Sequence, residues 1–334
     1  MLALSQPSYE VPLVRELESH GAAGLQRGPG WVLATDDRGG CALSDLAFAH
    51  LSLLAPIEVR GETVNVLAQT LAEFFLKSLQ GERVDAPWPC VFMSAAEAVG
   101  LGRRVSAVER VFNESLTKKL SRVAKLAAPE LPRGTVLARG LFVFFADFGR
   151  AFVAREAISG GQRRMADDPA APSRSFLKIE EAYGVLGREL AAGESVCDLG
   201  AAPGGWSYSA AKRGARVIAV DNGPLKGGAL AHPLIEHRRE DAFCFKPSGG
   251  ERFDWLFCDL VEEPHHVLRD LVRPWLAGCW CRHFIINLKF GRVDPIALLA
   301  ELRAPGSPFA LHAERFCIRH LYHDREEFTV VGKL

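Results

Sequence analysis

The stretch "DLGAAPGGW", Asp198 to Trp206, decides how the C-terminal half is read. The apolar "SVCDLG" enters it as a strand, Gly200, Gly204 and Gly205 crowd a turn, and helical sequence follows over 205–213. Glycine tolerates backbone angles closed to other residues and lets a ligand approach the chain closely. Strand, glycine turn and helix in that order form the nucleotide-binding corner of an α/β sheet. "VIAVDNG" then puts Asp221 at the end of a second strand. An acid about 20 residues past the first glycine suits the hydroxyls of an adenosine ribose. A dinucleotide site needs G-x-G-x-x-G, and Ala202 stands where the second glycine belongs. The turn therefore favours a ligand without phosphates, S-adenosylmethionine, over a nicotinamide dinucleotide. A plain tight turn is the bland alternative, and Asp221 weighs against it.

Outward from that corner, "FLKIEEAYGVLGREL" reads as a helix before the first strand. "ARVIAVD", "LIEHRRED", "FDWLFCD", "HFIINLK", "FALHAERF" and "EFTVVG" read as further strands, with helices at 265–277 and 294–303. This alternation predicts a doubly wound, mostly parallel sheet, and the last two strands, with no helix between them, pair antiparallel. Parallel strands end at one edge. Asp241 ends the third, Asp259 the fourth and Lys289 the fifth. Asp241 could accept from an adenine amino group, or merely cap a helix. Lys289, at the end of "HFIINLK", is either a functional amine or a chain snorkelling to water. An antiparallel final strand begins at the same edge, which brings Glu326 and Glu327 there. Glu327 is preferred because it directly precedes "FTVV", and a shift of one residue turns a side chain to the other face. Lys178, early in the first helix, is the fourth member.

The chain has 334 residues, with 48% hydrophobic and 24% charged. Length suggests two domains or three small units. No apolar run is long enough to span a bilayer, and no signal peptide is evident at the N-terminus, so a cytoplasmic location is expected. The eight cysteines, Cys41, Cys90, Cys197, Cys244, Cys258, Cys279, Cys281 and Cys317, contain no C-x-x-C pair. They read as scattered thiols of a reducing compartment, with no disulfide frame and no metal site. Net charge is +0, yet it is unevenly spread. Residues 1–102 carry 6 Lys/Arg and 12 Asp/Glu (−6), residues 103–178 carry 15 and 7 (+8), and the remainder 19 and 21 (−2). The basic middle block could face phosphates, or be a solvated helical face with a linker.

In the N-terminal half "GWVLATDD", "PIEVRG", "PWPCVFMSA" and "GLFVFFAD" read as strands, and "LSDLAFAHLSLL" and residues 62–79 as helical. "RVFNESLTKKLSRVAKLA" is a helix with Phe112, Leu116, Leu120 and Val123 on one face and Lys118, Lys119, Arg122 and Lys125 on the other. These predict a small α+β module. Residues 155–174, rich in Gly, Pro, Ser, Asp and Arg without periodicity, read as a linker or mobile loop.

The set Lys178, Asp259, Lys289 and Glu327 resembles the K-D-K-E tetrad of FtsJ-like ribose 2′-O-methyltransferases. "APSRSFLKIEEAY", "DLGAAPGGW", "VDNGPL", "RED", "INLK" and "LYHDREEFTV" are similar to segments of one branch, the RlmM type, which methylates a cytidine of bacterial 23S ribosomal RNA. The likeness covers about residues 130–334 and is loose over the first hundred. It implies a Rossmann-like class I methyltransferase domain at 171–334, a ferredoxin-like segment at 1–60 and a THUMP-like RNA-binding module at 61–160. It implies S-adenosylmethionine contacts from Ser175, Ala202, Pro203, Gly204, Gly205, Asp221, Asp241 and Asp259, with Lys289 as proton acceptor. The partner implied is 23S ribosomal RNA before full subunit assembly, met by a monomer.

Methyl transfer to a ribose hydroxyl requires alignment of the reacting groups and removal of the hydroxyl proton. An ordinary lysine, with a pKa of about 10.4, is too protonated to accept one at neutral pH. Burial, a sulfonium and Lys178 push Lys289 down, whereas Asp259 and Glu327 push it up; sequence leaves the sum open. Lys178 would position the hydroxyl or stabilise the oxyanion. The alternatives are a 2′-O-methyltransferase of another RNA, a non-catalytic RNA-binding protein with a methyltransferase-like domain, and, last, an NAD-dependent oxidoreductase.

Overall fold

A computed structural model describes residues 1–36, 45–95, 99–131 and 134–334. It divides into two compact units, Met1–Gly160 and Gly161–Leu334. In the first, nine strands share one sheet: β1 (Leu2–Leu4), β2 (Ala23–Gly28), β3 (Trp31–Asp36), β4 (Leu51–Leu54), β5 (Ile57–Arg60), β6 (Trp88–Ser94), β7 (Ala127–Ala128), β8 (Thr135–Phe145) and β9 (Arg150–Gly160). The order is β2-β3-β1-β4-β9-β8-β6-β7, with β5 also on β9. The boundary expected near residue 60 therefore falls within one sheet. Among the described residues, helices α1 (Glu10–Ser19), α2 (Val64–Ser78), α3 (Leu101–Lys119) and α4 (Ser121–Lys125) also belong to this unit. Helix α2 starts where Thr63 accepts a hydrogen bond from the Val66 amide. It buries Leu67, Leu71 and Phe75, one turn apart, against Val105, Phe112 and Leu116 of α3 and Leu141 and Val143 of β8.

Two expectations for this unit need correction. The described part of "LSDLAFAHLSLL", from Asp45 on, forms no α-helix: Leu51–Leu54 is β4, paired with β1 on one side and β9 on the other, while Leu43 and Ser44 lie outside the described residues. A short apolar run buried on both faces has no period to betray it. The basic helix begins earlier, at Leu101, and breaks at Leu120, whose φ is −141°. Phe112 and Leu116 are buried as expected, and Lys118, Lys119, Arg122 and Lys125 are exposed. Cys41, and Asp37 at the end of "GWVLATDD", lie outside the described residues.

The second unit is built on β10 (Ser195–Leu199), β11 (Arg216–Val220), β12 (Ile235–Arg238), β13 (Phe253–Cys258), β14 (Cys281–Lys289), β15 (Arg315–Arg319) and β16 (Glu327–Lys333). Their order is β12-β11-β10-β13-β14-β16-β15. The first five are parallel, and β16 runs antiparallel to both neighbours. The helices are α5 (Phe176–Leu186), α6 (Gly205–Lys212), α7 (Pro264–Val267), α8 (Arg273–Ala277), α9 (Pro295–Arg303) and α10 (Pro308–His312), with a π-helical turn at Leu268–Val272 joining α7 to α8. The core packs Tyr183 of α5, Trp206 and Ala210 of α6, and Val196, Trp255, Phe257, Ile285 and Val331 of the sheet. "FALHAERF", expected as a strand, divides instead. Ser307 Oγ accepts from the Ala310 amide and Pro308 opens α10, so β15 starts only at Arg315.

Residues 155–174 contain the division between the two units at Gly160 and Gly161, as a linker would, but they are hydrogen-bonded and not a loose loop. Residues 155–160 finish β9, and the chain beyond is tied down within the second unit. The Arg163 amide donates to Glu181 (3.1 Å), the Met165 amide to His323 Nε2 (2.9 Å), and Lys212 Nζ to Asp168 (2.5 Å). Aperiodic sequence hides such anchors because their partners lie elsewhere in the chain. Glu181 is the main one: fully buried, it also accepts from the Tyr322 (2.9 Å) and His323 (3.2 Å) amides. Burial outweighs these bonds and the Asp324 charge adds to it, pushing the carboxyl up to about 8. The folded state therefore holds a proton that the unfolded chain releases near the ordinary pKa of about 4.3. Stability should fall as pH rises between those two values, by up to about 1.4 kcal/mol per pH unit from this group. Denaturant titrations from pH 5 to 8 should show a shallower fall for Glu181→Gln than for wild type; an identical slope would refute the assignment.

Candidate active site

The parallel strands end together: Leu199 of β10 pairs with Val220 of β11 and Cys258 of β13, and Cys258 with Ile286 of β14. Asp259 follows β13 directly, and Lys289 is the last residue of β14. On the other side of β14, Lys289 is opposite Glu327 and Asn287 opposite Thr329. Residues two apart on a strand, and their cross-strand partners, share a face. Four polar side chains are thereby gathered on one side of two adjacent strands. Lys178, in the first turn of α5, reaches the same point. Glu181 holds α5 against the Tyr322–His323 segment just before β16, which explains why a helix residue and a strand residue so far apart in sequence meet.

Lys289 Nζ donates to Asp259 Oδ1 (2.5 Å), to Asn287 Oδ1 (2.7 Å) and to Glu327 Oε2. Lys178 Nζ lies 2.5 Å from Glu327 Oε1 and 3.7 Å from Asp259 Oδ1. The side chain of Glu327 is 5% exposed and those of Lys178 and Asp259 12% and 15%, so the charges attract strongly and are costly to separate. Two cations balance two carboxylates. Burial lowers the Lys289 amine, but Asp259 and Glu327 outweigh it and hold the amine well above its ordinary value. The two lysines overcome burial at Glu327 and keep its carboxyl low. Asp324, a third carboxyl beside this balanced set, is pushed up to about 7 by burial and by Glu327. Glu326 is not part of the cluster: its carbonyl accepts from the Phe290 amide and its side chain lies against Gly291.

The cluster opens on a cavity of about 780 Å³. Lys178, Lys289 and Glu327 lie on its wall with Ser175, Arg174, Tyr322 and Arg292. Arg174 and Arg292 are exposed, and their side chains have no partner among the described residues.

The glycine corner lies at the end of β10. Gly200 (φ +80°) and Gly204 (φ +108°) have backbone angles that other residues resist, and a Cβ would come 2.6 Å from Leu260 Cδ2 or 2.5 Å from Ala229 Cβ. The Ala202–Pro203 bond is cis. Asp221 is fixed against this turn, accepting from the Ala202 (3.0 Å) and Gly223 (2.7 Å) amides. Ser175 packs beside it: its carbonyl accepts from Trp206 Nε1 (2.9 Å), and its Oγ would meet a Cβ on Gly205 at 2.6 Å. Asp241 accepts from the Phe243 amide (2.9 Å) in a turn, caps no helix, and remains exposed. One oxygen of buried Asp198 accepts from Ser207 (2.6 Å), while the other has no partner among the described residues. This glycine-lined, carboxylate-edged corner fits a nucleoside group. No cluster of His, Cys, Asp and Glu among the described residues could hold a metal ion. None of their helices is long and apolar enough to cross a membrane.

Residues 171–271 match the family model of FtsJ-like methyltransferases. With its parallel sheet and glycine corner, the second unit is an S-adenosylmethionine-dependent methyltransferase domain. Ribosomal RNA large subunit methyltransferase M of Alkalilimnicola ehrlichii is 42% identical over 64% of this chain, and the match spans 64% of that protein, just under two thirds of its length. The proteins of the same name from Stenotrophomonas maltophilia strain R551-3 and Xanthomonas oryzae pv. oryzae strain MAFF 311018 are each 32% identical over 99% of this chain, and 96% and 98% of their own length is covered. The chain belongs to the ribosomal RNA large subunit methyltransferase M family.

Sequence reasoning overlooked Asn287, Glu181, Asp198 and Asp324. Asn287 carried a usable signal, since it stands two residues before Lys289 on a strand and must share its face. Asp324 carried none, because only the loop's path turns it inward.

Proposed function

We propose that the protein methylates the ribose 2′-hydroxyl of a cytidine in 23S ribosomal RNA, in the cytoplasm, as a monomer acting before the subunit is fully assembled. The observation that carries this is the meeting of Lys178, Asp259, Lys289 and Glu327 in one ion-paired cluster, with Lys178, Lys289 and Glu327 on the wall of one open cavity. When bound, S-adenosylmethionine supplies an electrophilic methyl group. Ser175, the Ala202–Gly205 turn, Asp221, Asp241 and Asp259 would hold it. Lys289 accepts the hydroxyl proton, and for that it must first be neutral. Asp259 and Glu327 orient the amine, and Lys178 stabilises negative charge developing on the ribose oxygen. In the N-terminal unit we assign 1–60 to a ferredoxin-like segment and 61–160 to a THUMP-like RNA-binding module.

Mapping of 2′-O-methyl marks in ribosomal RNA from cells with and without the protein tests the reading. One 23S cytidine should lose its mark; an unchanged map refutes it. The RNA-binding assignment has its own test. Neutralising Lys118, Lys119, Arg122 and Lys125 together should weaken RNA binding and reduce the slope of log affinity against log salt by up to about 3.6, allowing about 0.9 per phosphate contact. An unchanged slope would make that face a bystander.

A further inference from the structure

We infer that Asn287, held by Asp324 and Thr329, is a positioning residue for the Lys289 amine; the inference rests on the role proposed for Lys289. An ammonium has three N–H bonds. At Lys289 all three have protein acceptors, and the third, after the two carboxylates, is the neutral amide oxygen of Asn287. An asparagine can present either end of its amide to a neighbour. Here the far side decides. Asn287 Nδ2 donates to Thr329 Oγ1 (3.2 Å) and Asp324 Oδ1 (3.3 Å), and Thr329 Oγ1 donates to Asp324 Oδ2 (3.0 Å). Asp324 is itself fixed by the Leu321 amide (2.9 Å). With two acceptors behind it, the amide must turn its oxygen to the amine.

Asn287 is 1% exposed and does not line the cavity. It holds Lys289 from behind and leaves the cavity side for a substrate hydroxyl. A neutral acceptor suits this place: a third carboxylate would raise the amine further and make its neutral form rarer. The charged groups acting on Asp324 are Lys178, Glu327 and, through Glu181, the neighbouring helix α5.

The test compares pH–rate profiles of methyl transfer by full-length protein. Asn287→Ala should lower the rate at least tenfold at a fixed pH on the rising limb, because the amine loses its placement, even though its ammonium also loses an acceptor. RNA KM and cofactor affinity should stay within twofold. Asn287→Asp should move the limb to higher pH. Asp324→Asn should slow the reaction by leaving the amide free to rotate, and Asn287→Ala with Asp324→Asn should be no slower than Asn287→Ala alone, since the two act in series. An Asn287→Ala enzyme with the wild-type rate across the rising limb overturns the inference. The Lys289 titration can also be followed by NMR with ¹⁵N-labelled lysine, without any assay of activity. A shifted titration in Asn287→Ala supports the inference even if wild type proves inactive on RNA, which would refute only the proposed function; an unshifted titration overturns it.

Discussion

Lys289→Ala should lower methyl transfer by about 100- to 10,000-fold, the range for removing a positioned proton acceptor. The fold should survive. Lys178 remains 2.5 Å from Glu327 and 3.7 Å from Asp259, so the two carboxylates keep one buried cation between them. The pH dependence is the sharper signature. Asp259 and Glu327 hold the amine well above its ordinary value, so the neutral form is scarce at pH 7. The wild-type rate should climb with pH, by about tenfold per unit while the amine stays mostly protonated, and the slope should vanish in Lys289→Ala. For stability the sign is opposite. A lysine raised on folding contributes stability fully below its ordinary pKa of about 10.4, and loses it as pH rises through the higher folded value. Substantial methyl transfer by a folded Lys289→Ala protein would remove this residue as the base.

Glu327→Gln should cost about 100-fold or more in rate, whereas Glu326→Gln should change little. Glu327 bridges both lysines, and its loss leaves two cations balanced by Asp259 alone. Breaking a buried ion pair by removing one partner costs about 3–5 kcal/mol, and the glutamine retains shape and hydrogen-bonding capacity, so part of that is recovered. The proton shared within the site should also redistribute, since a buried Asp324, held up by the Glu327 charge, then ionises more readily. Paired kinetics on the two variants decide the matter. Equal losses, or a larger loss for Glu326→Gln, would sink the register argument.

Much of the catalytic unit was legible in one dimension. The glycine turn of 198–206 needs backbone angles and clearances that only glycine supplies, and the structure has them at Gly200 and Gly204. Strands that alternate with helices must run parallel and end at one edge, which put Asp259 and Lys289 together before any coordinates. The N-terminal unit was less legible. Its apolar runs, such as Leu51–Leu54, are short and buried on both sides, so helix and strand look alike there. Residues 161–168 appeared loose because each anchoring partner, Glu181, His323, Tyr208 or Lys212, lies elsewhere in the chain.

The amino-acid sequence by itself determined the sheet type, the glycine corner and the four residue types of the cluster, since periodicity and backbone sterics are local properties. Tertiary structure alone decided that Asp324 stands behind the amine and that the amine is held protonated. Those depend on loop path and the sum of opposing charges within a few ångströms, neither of which a linear pattern carries.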